Sequence, residues 1–183
     1  MIVDFEKDFK EQLKLKFLIQ KFDIGLDIDE VLADFIGGYN KYAPGRITKE
    51  NYNWHFSYGL RGFLDELNDN KDFWTNLTPL ISHMDIPFIP KCYITKRSFP
   101  VAWTEEWIEK NHFPCVPVIH VTDSKVAAYK DQQLDYYIDD SIKNFQELNG
   151  QGCKTFLMDA VHNKQFSVGE YRLYSLHDII NKI

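Results

Sequence analysis

From residue 91 to the C-terminus the sequence alternates between short apolar runs and amphipathic stretches, and this alternation limits the fold more than any other feature. KCYIT (91–95), VPVIHV (116–121), LDYYI (134–138) and CKTFLM (153–158) read as strands. Between them, residues 102–111 (after Pro100), 125–132 and 141–149 read as helices, and SLHDIINKI (175–183) reads as a closing helix. Upstream, FDIGLDI (22–28) has the character of one more buried strand. Apolar strands separated by helices imply right-handed crossovers and a parallel sheet covered on both faces. The expected fold class is therefore α/β. In such a sheet, ligands bind at the carboxyl ends of the strands.

Residues 4–20 place Phe5, Phe9, Leu13, Phe17 and Leu18 near one helical face, as an amphipathic helix would. Residues 30–42 begin another helix, which Gly37 and Gly38 are placed to interrupt. Between about 43 and 85 the character changes. Pro44-Gly45 is followed by Trp54, Phe56, Tyr58, Phe63, Phe73 and Trp74, with few β-branched residues. A small, mostly helical insertion is expected there. The division that follows is a core of residues 1–35 and 86–183, with 36–85 inserted after the first strand.

The formal net charge of −6 argues against a general grip on a nucleic-acid backbone, so no nucleic-acid polymer is expected as partner. A small phosphorylated ligand answers to the local field of a cleft and is not excluded. Cys92, Cys115 and Cys153 lack CxxC spacing and read as buried thiols in a reducing compartment. The first residues carry acids and bases without an apolar signal core, and no run approaches the roughly 20 apolar residues a membrane helix needs. The expectation is a soluble, intracellular (cytoplasmic) protein without a membrane partner; a homodimer stays open.

Three of the expected strands run directly into residues able to do chemistry. The first ends in Asp27-Ile28-Asp29-Glu30. A strand ending in Asp-x-Asp can aim both carboxylates at one point, the first to attack phosphorus and the second to protonate a leaving oxygen. The same residues could equally cap the next helix. Thr95-Lys96-Arg97 brings a hydroxyl and two bases to a strand end, a fit for phosphate oxygens, or else ordinary loop charges. Lys125 follows the next strand, where it could neutralise a phosphoryl group or simply face solvent, and Lys130 rivals it. Asp139-Asp140-Ser141 closes an apolar strand. Two adjacent acids there are costly to bring together unless a cation lies between them, and Mg²⁺ suits such a donor set. Capping by Asp140 or Ser141 can coexist with that role.

Taken in order, DIDEVLADF (27–35), ITKR (94–97), Lys125 and IDDS (138–141) resemble the four motifs of the haloacid dehalogenase superfamily, over roughly residues 22–158. The resemblance implies a Rossmann-like three-layer core with the first motif's strand central and a cap formed by the insertion. It implies Asp27 as nucleophile, Asp29 as general acid/base, and Thr95 and Lys125 on the phosphate; Lys96, beside Thr95, is a further candidate for the phosphate. Mg²⁺ would be held by Asp27, the Asp29 carbonyl and Asp139, with Asp140 in support. Many members have Gly where Glu30 stands. Since dehalogenase members lack an acid at the position of Asp29, phosphatase chemistry is implied instead.

The short aromatic cap, with Asp72-Phe73-Trp74-Thr75-Asn76-Leu77, further resembles the 5′(3′)-deoxyribonucleotidase branch, which implies a nucleotide substrate. Phe73 and Trp74 would then line the pocket together with Arg97, with Trp54 and Phe56 behind them. These rings could instead form the cap's own core. Other readings are a phosphatase of another small phosphoester, such as a sugar phosphate, and a non-catalytic descendant that binds a nucleotide or a protein.

Overall fold

The computed structural model of the chain describes residues 19–45 and 66–183. The helix expected over 4–20 lies almost wholly outside the described residues, as do Trp54 and Phe56. Six parallel strands form one sheet: β1 (Ile24–Leu26), β2 (Cys92–Thr95), β3 (Val118–His120), β4 (Tyr136–Asp139), β5 (Thr155–Met158) and β6 (Arg172–Leu173). Their spatial order is β3-β2-β1-β4-β5-β6, with parallel pairing throughout. The expected α/β class and parallel sheet are what the chain adopts.

The helices among the described residues are α1 (Phe35–Tyr42), α2 (Lys71–Thr75), α3 (Val101–Lys110), α4 (Val126–Asp131) and α5 (Ile142–Gly150). β1, β2, β4 and β5 are buried almost throughout, which is why their residues read as apolar runs. The largest part of the core joins Ile24, Leu26 and Ile138 of the sheet to Trp74 and Trp107 beside it. The Trp107 ring is fully covered, and its indole N–H donates to the Leu77 carbonyl at 2.8 Å, so no polar atom of the ring is left unpaired. Truncating such a residue to Ala costs about 3–5 kcal/mol.

Two helical expectations change. Helix α1 starts at Phe35 and not at residue 30, because the backbone N–H groups of Val31, Leu32 and Ala33 all converge on the Ile28 carbonyl in a tight turn. Asp34 then caps the helix, its carboxylate accepting the Gly37 N–H at 3.0 Å, a contact of about 1 kcal/mol. Gly37 does not break the helix; a Cβ there would lie 2.0 Å from that capping carboxylate, so the glycine makes room for the cap. The closing segment is a 3₁₀ helix, Leu176–Asn181, in which Leu176 and Ile179, three apart, both point inward. Strand β6 was not anticipated, since two residues are too few to show a period.

The chain leaves β1 for β2 and β3 on one side, then crosses to β4 on the other. The carboxyl ends of β1 and β4 therefore flank the switch point where an open parallel sheet offers its crevice. No helix among the described residues is long and apolar enough to cross a membrane.

Candidate active site

The register that pairs Leu26 with Ile138 carries Asp27 alongside Asp139 at the switch point, and the Asp27 N–H donates to the Ile138 carbonyl at 2.9 Å. Thr95 ends β2, the other neighbour of β1, with 1% exposure. Lys125 stands at the N-cap of α4 just past β3. Topology alone thus brings four separated motifs to one edge.

Lys125 joins them. Its ammonium lies 2.8 Å from Asp27 Oδ2 and 2.8 Å from Asp139 Oδ2, and it donates to the Tyr137 hydroxyl at 2.9 Å. All three N–H donors of the ammonium therefore have partners. The Tyr137 hydroxyl in turn donates to the Ile94 carbonyl. Burial by itself would lower the Lys125 pKa, but the Asp139 and Asp27 carboxylates outweigh it and raise it. Lys125 is charged here.

Asp27, Asp139 and Asp140 each offer a carboxylate oxygen within 4.8 Å of the others, all three buried. Burial, then the charges of Asp139 and Asp140, push the Asp27 carboxyl well above its usual range even though Lys125 pulls it down. Three buried carboxylates converge on one ammonium, with His162 only at the outer oxygen of Asp140; negative charge is in excess between the acids. Hard oxygen donors converging under that excess fit a divalent cation such as Mg²⁺.

Further contacts hold the acids in place. Asn144, near the start of α5, gives its amide to both oxygens of Asp139 at 3.1 Å, and the Ser141 N–H donates to Asp139 Oδ1 at 2.8 Å. Asn144 Oδ1 also accepts from the Lys96 ammonium at 2.8 Å. Lys96 is lowered in pKa, by burial first and by neighbouring Lys125 next. Asp140 Oδ2 lies 2.8 Å from His162 Nε2, while Asn163 donates to the Asp140 carbonyl at 2.8 Å. Burial would discharge His162, but its hydrogen bond to Asp140 raises its pKa overall. Asn144, His162 and Asn163 escaped the sequence reading. Only Asn144 had a signal, its place in the first turn of the helix that follows the acids.

Asp29 faces a different partner. Both its oxygens are gripped by Arg97, and that guanidinium is nearly fully covered. Trp74 is also buried, with its ring centroid 5.0 Å from the Arg97 guanidinium carbon. Phe73 is half-buried and meets Trp74 edge-on at 5.0 Å. Glu30 takes φ +58°, the left-handed region where glycine is at ease, and its carboxylate accepts the Ile36 N–H at 2.9 Å. Side-chain exposure is 9% for Asp27 and 10% for Asp29, against 0% for Asp139 and 1% for Lys125 and Arg97. The cluster opens to solvent at the two residues of the Asp-x-Asp pair.

A profile of the family described as 5′ nucleotidase, deoxy (pyrimidine), cytosolic type C protein matches residues 46–183. The chain belongs to that family. It is a phosphatase family within the superfamily whose four motifs the sequence resembles, so the activity class expected from the sequence is the one found. The match begins beyond Asp27 and Asp29; the fold sets Asp27 beside matched residues Asp139, Asp140 and Lys125, and pairs Asp29 with matched residue Arg97. No curated protein matches the chain.

Proposed function

We propose that this nucleotidase hydrolyses (deoxy)nucleoside monophosphates through a phosphoaspartate formed on Asp27, with Mg²⁺ as cofactor. The observation that carries the reading is the Asp27 carboxylate, buried but 9% exposed at its side chain, with Asp139 and Asp140 within 4.8 Å and Lys125 at 2.8 Å.

Asp27 attacks phosphorus, and the bond from phosphorus to the nucleoside oxygen breaks. Asp29 gives its proton to that departing oxygen, then takes one from the water that attacks the phosphoaspartate. Cleavage of the phosphorus–Asp27 bond releases inorganic phosphate and returns the carboxylate. Thr95, Lys96 and Lys125 provide donors and positive charge to the phosphate oxygens. Asp27, Asp139 and Asp140, with the Asp29 carbonyl, would hold Mg²⁺, which when bound neutralises negative charge so that carboxylate and phosphate can meet.

We take residues 36–85 as a cap over this edge of the sheet, and Phe73, Trp74 and Arg97 as the wall nearest Asp29. The half-buried Phe73 ring is the better candidate for stacking on a base. Trp74 is already packed by Phe35, Phe73 and Phe99.

The test is phosphate release from a panel of nucleoside monophosphates and sugar phosphates, with and without Mg²⁺. Nucleotides are expected to be preferred, only with Mg²⁺, and Asp27→Asn to abolish turnover while the fold survives. Undiminished turnover in that variant overturns the nucleophile. Equal rates on sugar phosphates overturn the substrate class.

A further inference from the structure

Arg97 commits each of its three guanidinium nitrogens. Nε donates to Asp29 Oδ2 at 2.9 Å, Nη2 to Asp29 Oδ1 at 2.6 Å, and Nη1 to Thr104 Oγ1 at 3.0 Å. The first two form a fork-to-fork pair, which fixes the plane of the carboxylate as well as its position. The guanidinium carbon also lies 5.0 Å from the Trp74 ring centroid and 5.5 Å from that of Phe99. The clamp is therefore held from outside.

The chain of contacts continues with forced direction. His120 Nδ1 lies 3.1 Å from the Phe99 carbonyl, and its Nε2 lies 3.0 Å from Thr104 Oγ1. A carbonyl can only accept, so Nδ1 carries the proton. In the neutral ring Nε2 then accepts from the Thr104 hydroxyl, leaving that oxygen to accept from Arg97. Burial, then the nearby Arg97 charge, lowers the His120 pKa, in keeping with the neutral ring. Thr104 lies on α3, His120 ends β3, and Trp74 sits on α2. Three elements thus fix one guanidinium, and the guanidinium fixes Asp29.

We propose that Arg97 is the positioning residue of the proton-transfer step, its guanidinium locked by Thr104 and His120 so that the Asp29 carboxylate is aimed at the leaving-group oxygen. This rests on the reading of Asp29 as general acid/base. A short aspartate side chain otherwise has several staggered wells to occupy. Misplacing a reacting group by ~1 Å costs on the order of 10²-fold in rate. An ion pair that only stapled the fold would leave all substrates equally affected by its loss.

The leaving group separates the two roles. A nucleoside oxygen needs a proton to depart, whereas 2,4-dinitrophenolate leaves without one. kcat and KM are measured with Mg²⁺ for a nucleoside monophosphate and for 2,4-dinitrophenyl phosphate, on the wild type, Asp29→Asn, Arg97→Met, Arg97→Lys and Thr104→Val. Arg97→Met is expected to lose on the order of 10²-fold in kcat on the nucleotide, and far less in kcat on the activated ester. Arg97→Lys keeps the charge without the fork and should fall between. Thr104→Val should show the same selectivity, more weakly. If Asp29→Asn is leaving-group selective while the Arg97 and Thr104 variants lose equally on both substrates, the inference is overturned and the mechanism stands. If Asp29→Asn shows no selectivity, the acid assignment fails and the inference falls with it. Should Arg97→Met not fold, Arg97→Lys and Thr104→Val decide the matter.

Discussion

Asn144 presents its side-chain amide to both carboxylate oxygens of Asp139, at 3.1 Å each. The same side chain accepts from Lys96, so a single neutral amide joins an acid of the proposed metal site to a base of the proposed phosphate site. Groups that orient a metal ligand typically change metal affinity by about 10–100-fold when lost. Asn144→Ala is expected to shift the Mg²⁺ concentration for half-maximal activity upward by at least about tenfold. A Mg²⁺ titration of phosphate release measures this, and an unchanged midpoint counts against the role.

Lys125 is buried between Asp27 and Asp139, and removing one partner of a buried ion pair costs about 3–5 kcal/mol. Lys125→Met should therefore lower stability to urea by roughly that amount in a chelator. Added Mg²⁺ should recover part of the loss, because a divalent cation answers the same excess of negative charge. Urea unfolding with and without Mg²⁺ distinguishes this from a packing defect, which Mg²⁺ would leave alone.

Glu30 combines a left-handed backbone with a side chain that accepts the Ile36 N–H. Replacing it by Ala removes the hydrogen bond and keeps the strain; replacing it by Gly removes both. Glu30→Gly should consequently be more stable than Glu30→Ala by about 1 kcal/mol, the usual cost of a left-handed L-residue. Equal unfolding midpoints would show that the backbone conformation carries no strain.

His120 is predicted to make stability depend on mild acid. Its folded pKa lies below the reference 6.5, because burial and Arg97 disfavour the charged ring despite the Phe99 carbonyl and the more distant Asp29 charge. The unfolded chain then binds more protons in that window. The contribution is complete above pH 6.5 and is lost as pH falls through the lower folded value. His120→Gln, which keeps an acceptor for Thr104, should flatten the stability profile below pH 6.5. Parallel profiles for the two proteins would dismiss the effect.

The period of the sequence located β1, β2, β4 and β5 because a buried strand must be apolar along its length, and half-buried β3 because Val118 and Ile119 lie in an apolar run; the helices between the strands dictated parallel pairing. β6 and the 3₁₀ ending carry no such signal, since Arg172–Leu173 is too short to show a period, and the six-residue Leu176–Asn181 turns inward every third residue. The late start of α1 was equally hidden, because three N–H groups sharing the Ile28 carbonyl is a property of the folded turn.

The site divides along the same line. Asp27, Asp29, Thr95, Lys125, Asp139 and Asp140 were legible because each stands at or just beyond the end of an apolar strand, and a parallel sheet sends those ends to one edge. Arg97 reads in sequence only as a base just past a strand end, whereas its grip on Asp29 crosses 68 residues of sequence. The link from Thr104 to His120 joins a helix to a strand end 16 residues away, and neither residue type signals it. Local pattern sets which residues reach the edge of the sheet, because burial imposes a period on each element separately. The pairing of Arg97 with Asp29 is a matter of packing between elements, and only the assembled core decides it.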